Sequence, residues 1–189
     1  MQVLGGAGYT DDFPLEQYYR DIRINSIYEG TTTIHGMDIL GRKVPMQNGK
    51  ALQLLAAEMT ETIATAAKTT GLQPYANKLG TAAQSLQKTT MHLMQLARSE
   101  KPEVFLADAT LYLELFGIVT VAWLWLKQGI AAQKAVEKGA TGDEFNFYQG
   151  KLLTMQYYFE YEVPKIQALC DRLVSANKLT VDMKGEFLN

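Results

Sequence analysis

Hydrophobic residues recur at helical spacing through most of the chain after residue 47. In the first such stretch Leu52, Leu55, Met59 and Ile63 fall three or four positions apart, which places them on one face of a helix. The same spacing continues to the C-terminal part of the chain. It predicts four long helices, at about 48–70, 74–99, 103–138 and 144–177.

The residues between these stretches are typical of helix ends. Thr70-Gly71 and Gly139 follow the first and third segments, and Pro74 suits the first turn of the second. Thr141 and Glu144 have the spacing of a capping box at the start of the fourth helix. Pro164 lies inside that helix and predicts a kink or a short break, because proline lacks the backbone donor.

Short connections between long helices favour antiparallel neighbours. The sequence therefore predicts an all-α fold, an antiparallel up-and-down four-helix bundle over residues 48–189. Residues 1–47 differ, because short predicted helices alternate there with glycine-rich loops. We expect two units, 1–47 and 48–189, with the boundary near residue 47.

Composition and net charge exclude only a few classes of protein and partner. The chain has 189 residues, of which 47% are hydrophobic and 20% charged, as in ordinary globular proteins. The net charge of −2 gives no electrostatic indication of a nucleic-acid partner. The single cysteine, Cys170, allows no disulfide within the chain and favours a reducing compartment, so we expect a cytoplasmic protein without a signal peptide.

Two further features suggest chemistry but are better explained by packing. The apolar stretch Leu111–Leu126 contains Glu114 and is short for a membrane span, so we expect a core helix and no transmembrane segment. A di-iron bundle needs Glu-x-x-His pairs, but threonine lies three residues before both His35 and His92. We therefore expect no metal site.

The order of residues in the first segment is unusual. QVLGGAGY (2–9) is followed by DFPLEQYYRDIRI (12–24) and IYEGT (27–31). These strings resemble the C-terminal part of the acyl-CoA dehydrogenases, flavoenzymes that desaturate acyl thioesters. IHGMDILGRKV (34–44) resembles the subgroup with an extra helical C-terminal domain. The resemblance implies that residues 1–47 are the end of the catalytic core and that 48–189 are the helical extension.

The resemblance assigns a role to Glu29. In the family, the glutamate of Y-E-G-T is the base that removes the α-proton of the acyl-CoA while the β-hydride passes to the flavin. A carboxylate in a dry pocket suits this task, because its pKa is raised towards the working pH. The neighbours Tyr28 and Gly30 are implied to contact the substrate, Tyr28 along the acyl chain and Gly30 by orienting the base. As a residue in unknown context, Glu29 would instead be interpreted as a charge favoured at a helix start.

The resemblance also implies contacts with FAD. Five residues would touch the flavin of a neighbouring subunit: Gln2, Val3, Leu4, Gly5 and Gly6. Thr31 and Thr33 would lie near the pyrophosphate or adenosine of the subunit's own FAD, at a helix start suited to anions. Many members carry Glu or Gln where Thr33 stands, so Thr31 is the better match. A simple turn is the alternative explanation of the glycine pair.

The family's helical and β-domains are largely missing from this sequence. We therefore expect a fragment of a flavin-dependent acyl-CoA dehydrogenase of fatty-acid β-oxidation, an enzyme in its full-length parent, with no turnover by the fragment alone. Implied partners are an acyl-CoA substrate, an acceptor like electron-transfer flavoprotein, and further copies in a homo-oligomer. The alternative is a stand-alone helical bundle for interaction or oligomerisation.

Overall fold

The structure is a computed structural model that describes residues 1–28, 30–175 and 177–188. Within these ranges the chain is 81% helical and holds no β-strand, which confirms the all-α prediction. The α-helices are α1 (Leu15–Arg23), α2 (Thr32–Asp38), α3 (Met46–Ala66), α4 (Gln73–Ser99), α5 (Pro102–Leu106), α6 (Ala109–Glu137), α7 (Gly142–Tyr161), α8 (Lys165–Leu173) and α9 (Leu179–Asp182). Shorter helical turns cover Gln2–Gly8, Ile24–Ser26 and Gly185–Leu188, and a π-helical turn covers Ile39–Lys43.

The third predicted helix is two helices, so that prediction is wrong in detail. α5 ends at Leu106 and α6 begins at Ala109, with Asp108 between them in a non-helical conformation (φ −108°, ψ 28°). A carboxylate oxygen of Asp108 lies 2.8 Å from a guanidinium nitrogen of Arg172 on α8. The spacing of hydrophobic residues predicts neither the break at Asp108 nor its ion pair with Arg172.

Pro164 separates α7 from α8, which confirms the predicted break in the fourth helix. α7 ends at Tyr161, and Pro164 precedes the first residue of α8 with a φ of −59°. The capping box is only half right, because Thr141 is the N-cap residue of α7 but its side chain makes no capping hydrogen bond to the described residues. The position of the helix start follows from the sequence, whereas the side-chain geometry does not.

The longest helix, α6, forms the centre of the core. Ten of its residues are buried, among them Tyr112, Leu115 and Leu126 with no exposed surface. α6 is also long and apolar enough to cross a membrane, with a mean hydropathy of 1.7 over its most apolar window. A buried helix at the centre of a helical core meets the same criterion, so this test gives little support to a membrane span.

Polar contacts show how neighbouring helices run relative to one another. On α6 and α7, the Tyr158 hydroxyl donates to the Ile118 carbonyl (3.4 Å) and Lys151 Nζ donates to Gln128 Oε1 (3.3 Å). Residue numbers rise along α6 as they fall along α7, so the two helices are antiparallel. This pairing is the one expected in an up-and-down bundle, although the bundle as a whole stays an interpretation.

One buried and one partly buried hydrogen bond connect α6 to the helices before it. The Tyr112 hydroxyl lies 2.8 Å from Thr90 Oγ1 on α4. On α3, Thr62 Oγ1 accepts from Trp123 Nε1, also at 2.8 Å. Because a buried donor or acceptor without a partner is costly, these pairs select one packing of the long helices.

α2 and the π-helical turn pack against the start of α6. Gly36 is buried, and a Cβ added there would lie only 2.6 Å from the Ala109 carbonyl oxygen. Leu40 is fully buried and Val44 is 6% exposed, and both belong to the same core as the long helices. Residues 32–44 thus share a core with α6. The boundary expected near residue 47 stays a prediction.

Candidate functional site

A pocket of about 360 Å³ opens beside Tyr28, at the point where the first segment reaches α2. Six of the described residues that line it have a hydrogen-bond donor in the side chain: Asn25, Ser26, Tyr28, Thr32, His35 and Lys43. Asp38 and Ile39 also line it, and Leu113 closes it from α6. A pocket rich in donors and facing α6 suits a polar or anionic part of a ligand.

Glu29, the predicted base, lies outside the described residues. Its neighbours on both sides are described. Tyr28 is half exposed and lines the pocket. Gly30 has a φ of 119°, a left-handed region that glycine tolerates best, and a Cβ there would lie 3.1 Å from Ile34 Cγ2. The two predicted substrate-contacting residues therefore stand at the pocket and at a turn that favours glycine.

The predicted FAD-contacting threonines lie at the start of α2. Thr31 is the N-cap residue, with extended backbone (φ −70°, ψ 163°), and its carbonyl accepts from the His35 N–H at 3.1 Å. Thr33 lies in the first turn of α2 and is exposed. Neither side chain is among those that line the pocket, whereas the intervening Thr32 is.

The two charged residues named above in the lining of the pocket, Asp38 and Lys43, form an ion pair with each other. Asp38 forms ion pairs with Arg42 and with Lys43, the latter at 3.3 Å. The hydrogen bond from Arg42 is the main reason that the pKa of Asp38 lies below its ordinary value, and Lys43 lowers it further. Asp38 therefore stays ionised and balanced, so it adds little net negative charge to the pocket.

No residue of the predicted glycine-rich contact stretch is among those that line the pocket beside Tyr28. Gln2–Gly6 belongs to the helical turn Gln2–Gly8, in which Gly5 has a φ of 55° and Val3 is 99% exposed. No hydrogen bond or ion pair within the described ranges joins this stretch to the residues around Tyr28. Leu4, in the same turn, is half-buried, and its N–H donates to the Met1 carbonyl. Within the described residues, no polar contact joins the two predicted groups of FAD-contacting residues.

Of the nine described residues that line the pocket, sequence reasoning identified Tyr28 and missed the other eight. His35 was considered only as a metal ligand, yet it lines the pocket one helical turn after Thr31. The i, i+4 spacing on α2 was the available signal. Lys43 and Leu113 reach the pocket through the π-helical turn and α6, and no local pattern predicts either. No cluster of His, Cys, Asp or Glu suited to a metal ion occurs in the described part of the chain.

Two family descriptions match consecutive parts of the sequence. Residues 1–44 match "Acyl-CoA dehydrogenase, C-terminal domain". Residues 55–184 match "Acetyl-CoA dehydrogenase C-terminal like". The first region contains all the described residues that line the pocket except Leu113, and the second covers the long helices from within α3 onward.

Individual relatives match over most of the chain. The broad-specificity linear acyl-CoA dehydrogenase FadE5 of Mycobacterium tuberculosis is 31% identical over 87% of this chain and 28% of its own length. A 3-methylmercaptopropionyl-CoA dehydrogenase of Ruegeria pomeroyi is 29% identical over 92% of this chain and 29% of its own. A butyryl-CoA dehydrogenase of Syntrophomonas wolfei is 26% identical over 98% of this chain and 30% of its own.

The all-helical fold and the two matched regions define a C-terminal domain of the dehydrogenase type. The chain belongs to the acyl-CoA dehydrogenase family, whose members are flavoprotein oxidoreductases. It spans less than one third of the length of the three relatives above.

Proposed function

We propose that this chain is the C-terminal part of a flavin-dependent acyl-CoA dehydrogenase and that Glu29 is its catalytic base. The proposal rests on the residues on either side of Glu29 in the Y-E-G-T string. Tyr28 lines the pocket with the hydrogen-bond donors, and Gly30 has a left-handed φ directly after Glu29. A residue other than glycine would be strained at that turn. The match of residues 1–44 to the dehydrogenase C-terminal domain supports the same assignment.

In the proposed reaction, the Glu29 carboxylate takes a proton from the carbon next to the thioester carbonyl of an acyl-CoA. The proton ends on a carboxylate oxygen, and the electron pair it leaves forms the new carbon–carbon double bond as hydride departs from the β-carbon. Such a proton is weakly acidic, so the base needs a pKa raised towards the working pH by a dry environment. Tyr28 would cover one side of the acyl group and help to exclude water.

The pocket beside Tyr28 suits part of FAD. Ser26, Thr32 and Lys43 offer hydroxyl donors and a cation there, which is the chemistry that a diphosphate or ribityl group requires. Thr31 would hold the same cofactor from the helix start, with Thr33 beside it. When bound, FAD supplies the hydride acceptor. The pocket is far smaller than the whole cofactor, so the rest of the flavin site must come from other parts of the parent.

Gln2–Gly6 would then contact the flavin of a second subunit in a homo-oligomer. The exposure of this segment supports a partner. Val3, Tyr9 and Ile22 are 99%, 83% and 66% exposed, and no residue of α1 is buried. Scattered apolar surface is ordinary, but so much of it within one short segment indicates contact with further polypeptide. An acceptor similar to electron-transfer flavoprotein would reoxidise the parent enzyme.

The test is Glu29→Gln in the full-length parent with FAD bound. Flavin content should stay unchanged, and bleaching of the flavin by acyl-CoA should slow by at least ~10³-fold, within the 10²–10⁴ that a general base supplies. Glu58→Gln is the matched control, because Glu58 is an exposed carboxylate on α3. Near-normal bleaching in Glu29→Gln would place the base elsewhere. A parent that binds no flavin would favour the helical interaction module instead.

A further inference from the structure

A second cavity, of about 640 Å³, opens between the last turns of α4, the start of α3 and α5. Its volume lies in the range of small-molecule pockets, roughly 300–1,000 Å³. Apolar side chains form most of its wall: Val44, Leu52, Met91, Met94 and Phe105. It shares no lining residue with the pocket beside Tyr28, so an inference about it does not depend on the proposed function.

Polar residues from the last turns of α4 and the start of α3 also line this cavity. Among them are the amides of Asn48 and Gln95 and the guanidinium of Arg98. Arg98 forms no ion pair with any residue that the structure describes, although eight ion pairs are defined elsewhere in the chain. A guanidinium beside amide donors is suited to a carboxylate, which it binds through two parallel hydrogen bonds.

The backbone at the rim is strained. Gln47, Asn48 and Gly49 are consecutive residues with φ values of 49°, 56° and 78°. Glycine and, less readily, asparagine adopt this region, whereas glutamine is strained there. Local strain of this kind concentrates at ligand sites, where it holds groups in place. Here two of the three strained residues, Asn48 and Gly49, line the cavity, as does Arg98.

The shape of the cavity favours a linear ligand. Met91, Met94 and Arg98 are spaced at three and four positions, so they follow one stripe of α4. From Thr90 to Arg98 the helix rises about 12 Å, at 1.5 Å per residue. Methionine side chains are flexible and adapt to the outline of an apolar chain. The wall thus has a long apolar part and a single cationic end.

We propose that this cavity binds an unbranched aliphatic monocarboxylate. The carboxylate pairs with Arg98 and the Gln95 and Asn48 amides, and the alkyl chain lies along Met94, Met91 and Leu52. Charge complementarity sets the orientation of the ligand, and removal of its alkyl chain from water provides most of the affinity. An alcohol of equal length lacks the charge and an alkylamine carries the wrong one, so both should bind more weakly.

The experiment uses the 189-residue chain with carbon-13 in its methionine methyl groups. Decanoate, kept below its micellar concentration, is titrated while the methyl signals are followed by NMR. The signals of Met91 and Met94 should shift and saturate, whereas Met155, which has no exposed surface, should not move. Decanol and decylamine are titrated in parallel. Absence of a saturable shift at Met91 and Met94 would overturn the proposal.

Two matched variants test the charge. Arg98→Gln should weaken decanoate binding about tenfold and leave decanol binding unchanged. Lys88→Gln is the control, because Lys88 is an exposed cation on the same helix that does not line the cavity. Both positions are exposed, so circular dichroism should show both variants folded. Equal affinities for decanoate and decanol, or the same loss in both variants, would show that the cavity is merely apolar and would contradict the carboxylate site.

Discussion

Gly36 and Gly80 both lie in helices, but their surroundings differ. A Cβ at Gly36 would meet the carbonyl and the following amide nitrogen of the α6 start at 2.6 to 3.0 Å, and backbone atoms cannot move aside easily. At Gly80, on α4, an added Cβ meets nothing within 4 Å in the described part of the chain. The same substitution should therefore have opposite effects at the two positions.

We predict that Gly36→Ala destabilises the chain by about 1–3 kcal/mol, the usual cost of overpacking. Gly80→Ala should stabilise it by about 0.4–1 kcal/mol, because alanine loses less conformational freedom on folding. Urea unfolding followed by circular dichroism measures both. If Gly36→Ala left the free energy of unfolding unchanged, α2 would be able to move away from α6 without loss of stability.

At the scale of the helices, the buried residue Tyr112 connects α6 to α4. Tyr112 has no exposed surface, and its hydroxyl contacts Thr90 across α4 and α6. Burial raises the pKa of Tyr112 above its ordinary value of 10.0, and this outweighs the opposing effect of the Thr90 hydrogen bond. The folded chain therefore retains the phenol proton at a pH where the unfolded chain releases it.

This raised pKa predicts a loss of stability at alkaline pH. The contribution of Tyr112 is fully present below pH 10 and is lost as the pH rises through the folded-state pKa. Tyr112→Phe should cost about 1 kcal/mol near neutral pH. It should also flatten the decline in the free energy of unfolding above pH about 10. Tyr157→Phe, at an exposed position, should leave the decline unchanged.

Most of the helices could be predicted from the sequence, since local spacing and glycine or proline breakers specify them. The break at Asp108 could not, because Arg172 lies far along the chain and no local pattern connects them. The family resemblance pointed to Tyr28 and Gly30, and the structure places them at a pocket and a turn. Leu113 completes that pocket only through the packing of α2 on α6, which is a tertiary event.

At the scale of the whole molecule, burial divides the chain near residue 30. Among residues 1–28 only Gly8 is buried, whereas residues 32–44 contribute Gly36, Leu40 and Val44 to buried surface. Apolar burial contributes roughly 25 cal/mol per Å², so a segment without partners cannot offset its ordering entropy. The amides of 1–28 should therefore exchange with solvent fast, and those of 32–44 should be protected together with the long helices.

Hydrogen exchange with mass spectrometry on the monomeric chain tests this division. Slow exchange in 1–28 as well as in the helices would show that the first segment folds onto the rest as one unit. Fast exchange through residue 47 would support the boundary expected from the sequence. Concentration dependence serves as the control, because a second copy could cover the exposed segment.

The isolated chain should bind FAD only weakly. Its two predicted groups of contacts would touch two different flavins of a dimer, and one or two hydrogen bonds at ~1 kcal/mol each do not offset the loss of freedom of a large cofactor. Chain purified with added FAD and then desalted should carry no stoichiometric flavin absorbance. A yellow chain after desalting would mean that the two groups meet in a dimer.

The π-helical turn Ile39–Lys43 has a consequence for comparing relatives. Its Val44 N–H donates to the Ile39 carbonyl, five residues back, so the turn contains one residue more than an α-helical turn would. Deleting that residue would rotate everything before it by about 100°, the angle per residue of an α-helix, and would turn Gly36 away from α6. Relatives in which the residue at this position of α2 packs against α6 in the same way should align here without a gap. Those with a one-residue gap should carry a bulkier side chain in place of Gly36.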